Sequence, residues 1–521
     1  MEDSKILIFD TTLRDGNQAV GINFSLEDKI KIALKLDDLG VNYIEGGWPN
    51  ETNPVDVSFF KQILKYRLRA RVSTFGRTRK PWVRVEEDPD LKYLIQPNIP
   101  TATIFGKSWI LHVKDVLNTT LEENLSMIYD SVKYLKESGR EVVFDAEHFF
   151  DGYRDNPDYA LEVLKTAEKA GASFLVLADT RGASDPLEVY EVVRKIKEVF
   201  ETPLGIHAHN DTGMAVANTI AAVKAGATMV QGTINGIGER CGNADLVQVI
   251  GVLAVKFNYK MDVNLRMLSM VSRYLRDIAS LEENPRQPFV GKYAFSHKGG
   301  VHGDAVLKNR EAYEFTDPAI FGSTSAIVVS SQSGTANLAA KACEMGFEVD
   351  RRDPRIMEAL KKIKDLESKG YVFEDADGSL FLLLHEALHG PTQLFELEHW
   401  TSIVTWLGDR QIVECVVKVR VGGVSMSASA EGNGPVNAFD SALKKALSPI
   451  YPGIAYVSLT GFRVREIDAP SGTAASVRIL AEFESNGSRW TTIGVSTNIL
   501  KAAEEALVTG YKYFLLKHSK K

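Results

Sequence analysis

Two short polar segments, far apart in the chain, carry the residue types of a metal site. The segment IFDTTLRDGNQ places Arg14 and Asp15 directly after an apolar run, and the segment IHAHND places His207 and His209 two positions apart. Side chains at positions i and i+2 of a strand point to the same side, so both imidazoles can reach one ion. Because a carboxylate and two imidazoles are ordinary ligands of a divalent cation, we expect a metal enzyme using Zn²⁺, Mn²⁺ or Mg²⁺.

Further polar residues follow other apolar runs and offer complementary chemistry. Arg14 has a planar guanidinium that can hold a ketone or carboxylate oxygen where negative charge develops. Glu147 suits a general acid or base, or a group that orients a ligand, and Thr180 offers a hydroxyl to a substrate carboxylate or to a turn. Asn243, in the sequence AsnAlaAspLeu, is expected to cap the next helix, and its amide oxygen can also reach the ion.

Eight β-rich runs, alternating with amphipathic helical patterns, must position these residues. The runs are KILIFD, VNYIEG, RARVST, TATIFG, EVVFDAE, SFLVLAD, PLGIHAH and TMVQGTI. The first helical pattern begins after Ser25, a good N-cap, and ends at Gly40. Eight such units predict a (β/α)₈ TIM barrel, and the rival doubly wound sheet is disfavoured because no GxGxxG follows the first run. In such barrels the polar residues at strand ends meet at one rim.

The remaining sequence predicts two more domains after a barrel at residues 1–285. A helical linker subdomain is expected at 286–390, and the GlyPro pair at its end marks a boundary. Alternating strands and helices then predict a C-terminal α+β domain at 391–521. A weak repeat suggests that this domain is a duplicated module. Its matching positions are Ala438, Ala442 and Leu443 in one half and Ala502, Ala506 and Leu507 in the other.

Composition excludes several classes of function. The chain has 521 residues, a net charge of −7 and no basic block, which argues against a nucleic-acid partner. The three cysteines are scattered, as in proteins of a reducing compartment. The first residues are acidic and then strand-like, unlike a signal peptide, and no run approaches a membrane span. We therefore expect a cytoplasmic protein with no membrane partner.

Two histidine-containing segments beyond the barrel have competing interpretations. His297 and His302 lie in a Gly-rich segment, where composition alone favours ordinary loop histidines over an acid or base that folds over the rim. The segment HEALH, His385 to His389, fits the zincin pattern HExxH. Because GlyPro ends its helix at once, a protease site is disfavoured. The segment GNGP at Gly432 to Pro435 lacks the Lys–Ser/Thr ending of a phosphate loop and predicts a strand-to-helix turn.

Four segments together resemble the acyl-CoA-condensing synthases of the isopropylmalate, citramalate and homocitrate synthase family: DTTLRDGNQ, HAHND, GERCGN and GGVHGDAVLKNREAYE. The resemblance covers nearly the whole chain and includes a C-terminal domain like the amino-acid-sensing regulatory domain of that family. Other segments are most similar to the branch whose acceptor is pyruvate: GGWPNETNP, TIFGKSW, TTLEENL and DAEHFFDGY. One departure is the loop after Thr180, which reads ArgGlyAlaSer instead of an AsnGlyGly-like run.

The resemblance implies specific roles for the site residues. It implies that Asp15, His207 and His209 bind the metal, with a contribution from Asn243. It also implies that Arg14 contacts the keto oxygen and Thr180 the substrate carboxylate. It assigns acid and base chemistry to Glu147, His302 and Tyr313, with Asp304 near the histidine, and so reverses the loop interpretation of His302. In that family the residues that correspond to His302 and Tyr313 reach the active site of the partner subunit, which implies a homodimer.

The activity that the resemblance implies is a metal-dependent condensation of acetyl-CoA with pyruvate followed by thioester hydrolysis, in isoleucine biosynthesis. Pathway logic suggests isoleucine as the effector of the C-terminal domain. The nearest alternative is condensation with 2-oxoisovalerate, in leucine biosynthesis, although bulky residues such as Trp48, Phe75 and Phe105 can crowd an isopropyl group. Two further alternatives are a metal-dependent aldolase or lyase on the same barrel and an inactive amino-acid sensor. The intact ArgAsp and HisxHis clusters argue against the sensor, because a sensor need not retain them.

Overall fold

The computed structural model of the protein describes residues 5–467, 472 and 474–518, and these residues form two compact units. One unit contains the described residues up to Phe295 together with Thr316–Ser325. The other contains Ser296–Phe315 and the described residues from Ala326 onward. The three-domain division predicted with boundaries at residues 285 and 390 stays a prediction. Within the described chain, no helix combines the length and the apolar character needed to span a membrane.

The first unit is built around a closed barrel of eight parallel strands. All eight predicted β-rich runs form strands, and β1 closes the barrel because it pairs with both β2 and β8. The strands are β1 (Leu7–Asp10), β2 (Tyr43–Gly47), β3 (Arg71–Arg77), β4 (Thr101–Lys107), β5 (Glu141–Glu147), β6 (Phe174–Asp179), β7 (Leu204–Ala208) and β8 (Met229–Gly232). The predicted TIM barrel is therefore confirmed.

Ten helices accompany these strands in the first unit. They are α1 (Leu26–Leu39), α2 (Pro54–Ile63), α3 (Pro89–Ile95), α4 (Leu121–Glu137), α5 (Phe149–Asp155), α6 (Pro157–Ala170), α7 (Pro186–Val199), α8 (Ala215–Lys224), α9 (Leu246–Val255) and α10 (Leu268–Ile278). Single turns of 3₁₀ helix lie at Gly16–Gln18, Ile234–Gly236, Leu265–Met267 and Pro318–Phe321, and a π-helical turn lies at His112–Val116.

Local sequence signals explain where these helices begin and end. Four of them, α2, α3, α6 and α7, start with Pro after Asn or Asp, and proline is favoured there because the first helical N–H has no intrahelical partner. Ser25 caps α1 in a capping box with Asp28, and Gly40 ends it at φ 94°, as predicted. The predicted cap of α9 was wrong. Asp245, not Asn243, accepts a hydrogen bond from the Val247 N–H, so Asn243 stays available to the barrel rim.

Apolar side chains fill both layers of the barrel. The interior at the lower end holds a cluster that includes Phe9, Tyr43, Val143, Phe174 and Met229. A larger core lies between the strands and the surrounding helices. With both layers packed, the polar residues that follow the strands are left at the C-terminal rim, where loops from separate parts of the chain converge.

The second unit contains a group of helices and two antiparallel sheets. Its elements are β9 (Ser296–His297), α11 (Gly300–Lys308), β10 (Ala326–Ile327), α12 (Thr335–Glu344), α13 (Pro354–Ser368), α14 (Asp377–His389), β11 (Glu396–Leu407), β12 (Arg410–Val421), β13 (Val424–Glu431), α15 (Pro435–Leu447), β14 (Ser458–Glu466), β15 (Val477–Ser485), β16 (Ser488–Ser496) and α16 (Ile499–His518). Turns of 3₁₀ helix lie at Arg310–Ala312 and Pro452–Tyr456. Helix α14 carries the HEALH segment and stops at Gly390.

The duplicated module stays a prediction, and the second unit contains two halves of the same topology. Each half is a three-stranded antiparallel sheet, β11-β12-β13 or β14-β15-β16, with one helix packed on it. The alanines and leucines that define the repeat are all buried in one shared core. Tyr511 of α16 donates a buried hydrogen bond to Asp440 of α15 and so joins the two helices. The segment GNGP forms the turn between β13 and α15, as expected.

A buried ion pair holds the loop that follows β2. Lys29 of α1 contacts Asp56 of α2, and these side chains are only 1% and 7% exposed. Lys29 also donates to the Gly46 carbonyl at 3.1 Å, while Asp56 accepts from the Trp48 backbone N–H at 2.8 Å and from Asn53 at 2.7 Å. The pair therefore fixes the backbone of Trp48, at the barrel rim.

Replacement of Lys29 by Met is expected to destabilise the barrel strongly, because it leaves the Asp56 carboxylate buried without its cation. We expect the free energy of unfolding to fall by about 3 kcal/mol. Urea denaturation followed by circular dichroism measures the change. Lys31→Met is the matched control, since Lys31 pairs with Glu27 on the same helix with both side chains more than half exposed. Equal stability of both variants would contradict a structural role for the buried pair.

Candidate active site

Three buried side chains converge at the C-terminal rim of the barrel. The Nε2 atoms of His207 and His209 lie 3.3 Å apart, and they lie 3.5 and 3.9 Å from Asp15 Oδ2. Asp15 follows β1, whereas the histidines end β7, so closure of the barrel brings these segments together. One ion can contact all three atoms at ordinary ligand distances. Among the described residues, this is the one group of three or more acidic, histidine or cysteine side chains with such geometry.

Asn243 completes the surroundings of the cluster. Its Nδ2 atom donates to Asp15 Oδ1 at 3.0 Å and its backbone forms a bridge with His209. Its Oδ1 atom is buried and has no hydrogen-bond partner among the described residues. Because buried amide oxygens are normally satisfied, an unsatisfied one beside a carboxylate and two imidazoles fits a cation ligand. The residues present therefore suit a divalent metal.

Electrostatics prepare the three side chains to bind a cation. Burial lowers the pKa of His207 to about 3 and also lowers the pKa of His209, so both imidazoles are neutral at physiological pH. Burial alone would raise the pKa of Asp15. The charges of Arg14 and the histidines, with the hydrogen bond from Asn243, outweigh burial and hold the pKa of this carboxyl below its usual range. A carboxylate with two neutral imidazoles is the protonation state that a metal requires.

Arg14, whose side chain is 10% exposed, lies between acidic groups at the edge of the cluster. Its Nε donates to Glu45 Oε2 at 2.6 Å, its Nη1 donates to Asp15 Oδ2 at 2.8 Å, and its guanidinium lies over the Phe75 ring at 3.8 Å. Within the described residues, no hydrogen bond is recorded for Nη2. Arg14 is therefore not part of a surface ion pair, because Glu45 is fully buried and orients the guanidinium.

Glu147 and Thr180 face the same space from β5 and from the end of β6. Glu147 forms an ion pair with Lys107 of β4, which holds its carboxylate in place. Thr180 Oγ1 accepts the His148 backbone N–H at 2.9 Å, so the hydroxyl hydrogen is free to donate to a ligand. His148 itself adopts the left-handed conformation, at φ 58°, in the turn between β5 and α5.

A pocket of about 230 Å³ opens over this cluster. Its lining is Arg14, Asp15, Gln18, Trp48, Phe75, Phe105, Asp145, Glu147, Ala178, Thr180, His207, His209, Glu239 and Arg240. Three aromatic rings form one wall. Trp48 meets Phe75 and Phe105 edge-on, each at 5.7 Å between ring centroids, while the two phenylalanines stack at 5.5 Å. The pocket therefore combines a charged floor with a rigid apolar side.

A larger cleft of about 600 Å³ lies at the opposite end of the barrel. It is lined by residues that precede or begin the strands, such as Tyr43 and Arg71, and Glu141 pairs with Arg71 at 2.8 Å. Conserved chemistry in such barrels lies at the other rim. The candidate active site is therefore the pocket that contains the cluster of Asp15, His207 and His209.

His302 and Tyr313 belong to the second unit, where their rings lie 4.4 Å apart. Both side chains are exposed, and Asp304 pairs with Lys308 on the same helix. His297 contacts Glu314 at 3.0 Å in the same region. The lining of the barrel pocket comes from the first unit, so roles for His302 and Tyr313 in catalysis stay predictions.

Comparison with known proteins assigns the chain to a family. The family models that match are HMGL-like over residues 5–275, Homocitrate synthase post-HMGL domain-like over 289–370 and LeuA allosteric (dimerisation) domain over 374–515. (R)-Citramalate synthases from Aquifex aeolicus and Geobacter sulfurreducens are each 46% identical to the chain, covering 98% and 99% of it and 98% of each relative. A 2-isopropylmalate synthase from Methanocaldococcus jannaschii is 33% identical over 99% of the chain and 96% of its own length. The chain belongs to the citramalate and isopropylmalate synthase family.

Membership of the citramalate and isopropylmalate synthase family confirms the resemblance found in the sequence motifs. Sequence reasoning missed three buried polar residues near the cluster, namely Glu45, Asp145 and Gln231. Each is a polar residue with an apolar or glycine neighbour on either side within its strand, and that contrast is the signal that could have found them.

Replacement of His207 by Ala is expected to abolish tight binding of Mn²⁺, because it removes one of three converging ligand atoms. Isothermal titration of metal-stripped protein with MnCl₂ measures this directly. His112→Ala is the control, since His112 is a half-buried histidine whose ring centroid lies 4.0 Å from that of His148, outside the cluster. Undiminished Mn²⁺ affinity in His207→Ala, or equal loss in both variants, would contradict the assignment.

Proposed function

We propose that this protein condenses acetyl-CoA with pyruvate and hydrolyses the resulting thioester, giving (R)-citramalate and CoA, as a step of isoleucine biosynthesis. The observation that carries the proposal is the cluster of Asp15, His207 and His209 at the floor of a small pocket with an aromatic wall. The two relatives at 46% identity, both called (R)-citramalate synthases, support the same activity. One water is consumed, and release of CoA makes the condensation effectively irreversible.

The metal in this proposal is held by Asp15, His207 and His209, with Asn243 Oδ1 as a further oxygen. When bound, a divalent cation supplies Lewis acidity that polarises the carbonyl of a 2-oxo acid. Zn²⁺, Mn²⁺ and Mg²⁺ are all candidates, although the two imidazoles suit Zn²⁺ better than Mg²⁺.

Arg14 and Thr180 bind and orient the acceptor. The guanidinium of Arg14 is held rigid by Glu45 and Asp15, so its Nη2 group can donate to the keto oxygen as negative charge develops there. Thr180 Oγ1 already accepts from the His148 N–H and therefore presents its own hydrogen to the acceptor carboxylate. Both donors are preorganised, which lowers the reorganisation that the reaction requires.

Glu147, His302 and Tyr313 provide the acid and base chemistry. A base must remove a proton from the methyl group of acetyl-CoA, and a water must then be activated to cleave the thioester. Glu147 lines the pocket as a carboxylate beside Lys107 and suits one of these steps. His302 and Tyr313 lie together in the second unit, and the family resemblance assigns the other step to them in the active site of the partner subunit.

The aromatic wall favours pyruvate over larger acceptors. Trp48, Phe75 and Phe105 contact one another, and the buried Lys29–Asp56 pair fixes the backbone of Trp48, so the wall cannot move back easily. A methyl group requires less room there than an isopropyl group. The wall therefore supports pyruvate as the acceptor and 2-oxoisovalerate as the poorer alternative.

The second unit supports a regulatory role and a homodimer. Residues 374–515 match the LeuA allosteric (dimerisation) domain, and the duplicated sheets and helices lie within that match. An enzyme at a committing step is a sensible target of its end product, which for this reaction is isoleucine. We expect isoleucine to bind in this domain.

The acceptor can be tested by release of CoA from acetyl-CoA in the presence of single 2-oxo acids. Pyruvate is expected to give the highest kcat/KM, and stripping the metal with EDTA is expected to abolish turnover until Mn²⁺ or Zn²⁺ is restored. Phe105→Ala should raise relative activity with 2-oxoisovalerate by enlarging the pocket. A preference of the unmodified protein for 2-oxoisovalerate would refute the proposed acceptor.

Regulation can be tested by adding single branched-chain amino acids to the same assay. Isoleucine is expected to inhibit turnover with pyruvate, whereas valine and leucine at equal concentration are expected to have smaller effects. A thermal-shift titration with isoleucine should show stabilisation even without substrates, because binding to the native state raises the unfolding temperature. Absence of both inhibition and stabilisation would exclude isoleucine as the effector.

A further inference from the structure

Gln231 is a fully buried amide in the middle of β8 that the proposed chemistry does not use. It is the register partner of His207 across the β7–β8 pair. Its Oε1 lies 2.9 Å from His207 Nδ1, and its Nε2 donates to Asp145 Oδ1 at 3.0 Å. Both ends of the amide are therefore engaged, one by a metal ligand and the other by a carboxyl group of β5.

The orientation of this amide determines which nitrogen of His207 carries the hydrogen. Asp145 Oδ1 accepts a hydrogen bond, so the NH₂ group of Gln231 must face Asp145 and its carbonyl oxygen must face His207. A carbonyl oxygen can only accept, so His207 Nδ1 must carry the hydrogen. In a neutral imidazole the other nitrogen, Nε2, then has its lone pair free, and Nε2 is the atom that faces Asp15 and His209.

The opposite orientation of the amide would block the site. If the NH₂ group of Gln231 faced His207, Nδ1 would have to accept and the hydrogen would move to Nε2. A hydrogen on Nε2 points into the cluster and excludes a cation from that position. The fixed acceptor at Asp145 prevents this arrangement, because two facing acceptors, the Gln231 carbonyl and Asp145 Oδ1, would repel each other.

Asp145 is suited to this role by its surroundings. It is almost completely buried, and burial raises its pKa well above the usual range of an aspartic acid. One oxygen is committed to Gln231, and the residue also lines the pocket above the cluster. A carboxyl group held there can accept from Gln231 with or without a proton on its other oxygen, so the amide keeps its orientation in both states.

We propose that Asp145 and Gln231 are positioning residues that fix the His207 tautomer able to bind the metal. The inference rests on the metal ligation in the proposed function, but it concerns residues that the proposed reaction does not require. Outer hydrogen-bond partners of ligating histidines commonly contribute roughly 10- to 100-fold to metal affinity. Their effect should therefore be visible in metal binding without any substrate.

Two substitutions of Gln231 distinguish a role in positioning His207 from a role in packing alone. Gln231→Met keeps the length and volume of the side chain but removes the acceptor for His207 Nδ1–H. Gln231→Glu keeps that acceptor, and on its other side one proton shared between the two carboxyl groups replaces the amide hydrogen that Asp145 accepts. A positioning role predicts that Gln231→Met weakens Mn²⁺ binding and that Gln231→Glu retains it. A packing role predicts the reverse, because a core tolerates Met better than an added carboxylate.

A third substitution tests Asp145. Asp145→Leu has a branched side chain that neither accepts nor donates, so it leaves the Gln231 amide free to adopt both orientations. We expect weaker Mn²⁺ binding than in the unmodified protein. Gln248→Met is the matched control, because it removes another amide that donates to a buried carboxyl group, Asp245 at 3.0 Å, away from His207.

The measurement is the dissociation constant for Mn²⁺ alone, from isothermal titration of each metal-stripped full-length protein, with circular dichroism to show that each is folded. We expect a roughly 10- to 100-fold rise in Kd for Gln231→Met, a smaller rise for Asp145→Leu, and values within about twofold of the unmodified protein for Gln231→Glu and Gln248→Met. Should Gln231→Met fail to fold, the comparison of Asp145→Leu and Gln231→Glu decides.

The possible failures are distinguishable. If the unmodified protein does not bind Mn²⁺ or another divalent cation, the metal site itself is wrong and the proposed function falls with it. If the unmodified protein binds Mn²⁺ but Gln231→Met binds it equally well, or Gln231→Glu loses binding, the positioning role is overturned while the metal site stands. Unchanged affinity in Asp145→Leu would remove Asp145 from the proposal.

Discussion

The convergence of Asp15, His207 and His209 on one buried point is the constraint on which the rest of the site depends. Three ligand atoms within 4.8 Å of one another require that the ends of β1 and β7 meet with little tolerance. Neither strand pairs with the other, so β8, which pairs with both, sets their separation. The closed barrel thus fixes the distances between the three ligand atoms, whereas an open sheet would leave them unfixed.

The concentration of charge around this point would be unfavourable without compensation inside the barrel. Asp15, Glu45 and Asp145 bring three carboxyl groups close to the guanidinium of Arg14. Arg14 stabilises two of the carboxylates directly, and burial raises the pKa of Glu45 and Asp145. A divalent cation would balance the remaining charge, which is a physical reason for the site to favour metal binding over an empty, charged cavity.

The sequence predicted the barrel and the convergence of Asp15, His207 and His209, because both depend on patterns that are visible in the order of the residues. Strand runs, the Ser25 cap and the Gly40 stop are local signals, and a His-x-His pair at a strand end directs both rings to one side by period alone. The cap of α9 was assigned to the wrong residue because Asn243 and Asp245 are both good caps two positions apart. The choice between them depends on which side chain is drawn to the rim, and that is a tertiary effect.

Other features could not be read from the sequence because they depend on register between distant strands. Gln231 becomes a partner of His207 only when β8 is aligned with β7, and its orientation depends on Asp145 from β5 across the barrel interior. Glu45 looks like an isolated polar residue in β2 until Arg14 from the neighbouring strand end reaches it. The Lys29–Asp56 pair likewise joins two helices whose packing no local pattern specifies.

The most direct test of the account is an anomalous-scattering measurement on crystals of the full-length protein grown with Mn²⁺ or Zn²⁺ and recorded on both sides of the metal absorption edge. The account predicts one strong peak bonded to Asp15, His207 Nε2 and His209 Nε2, at about 2.0–2.3 Å from each nitrogen. A vacant cluster under saturating metal, or a peak held by other side chains, would contradict it.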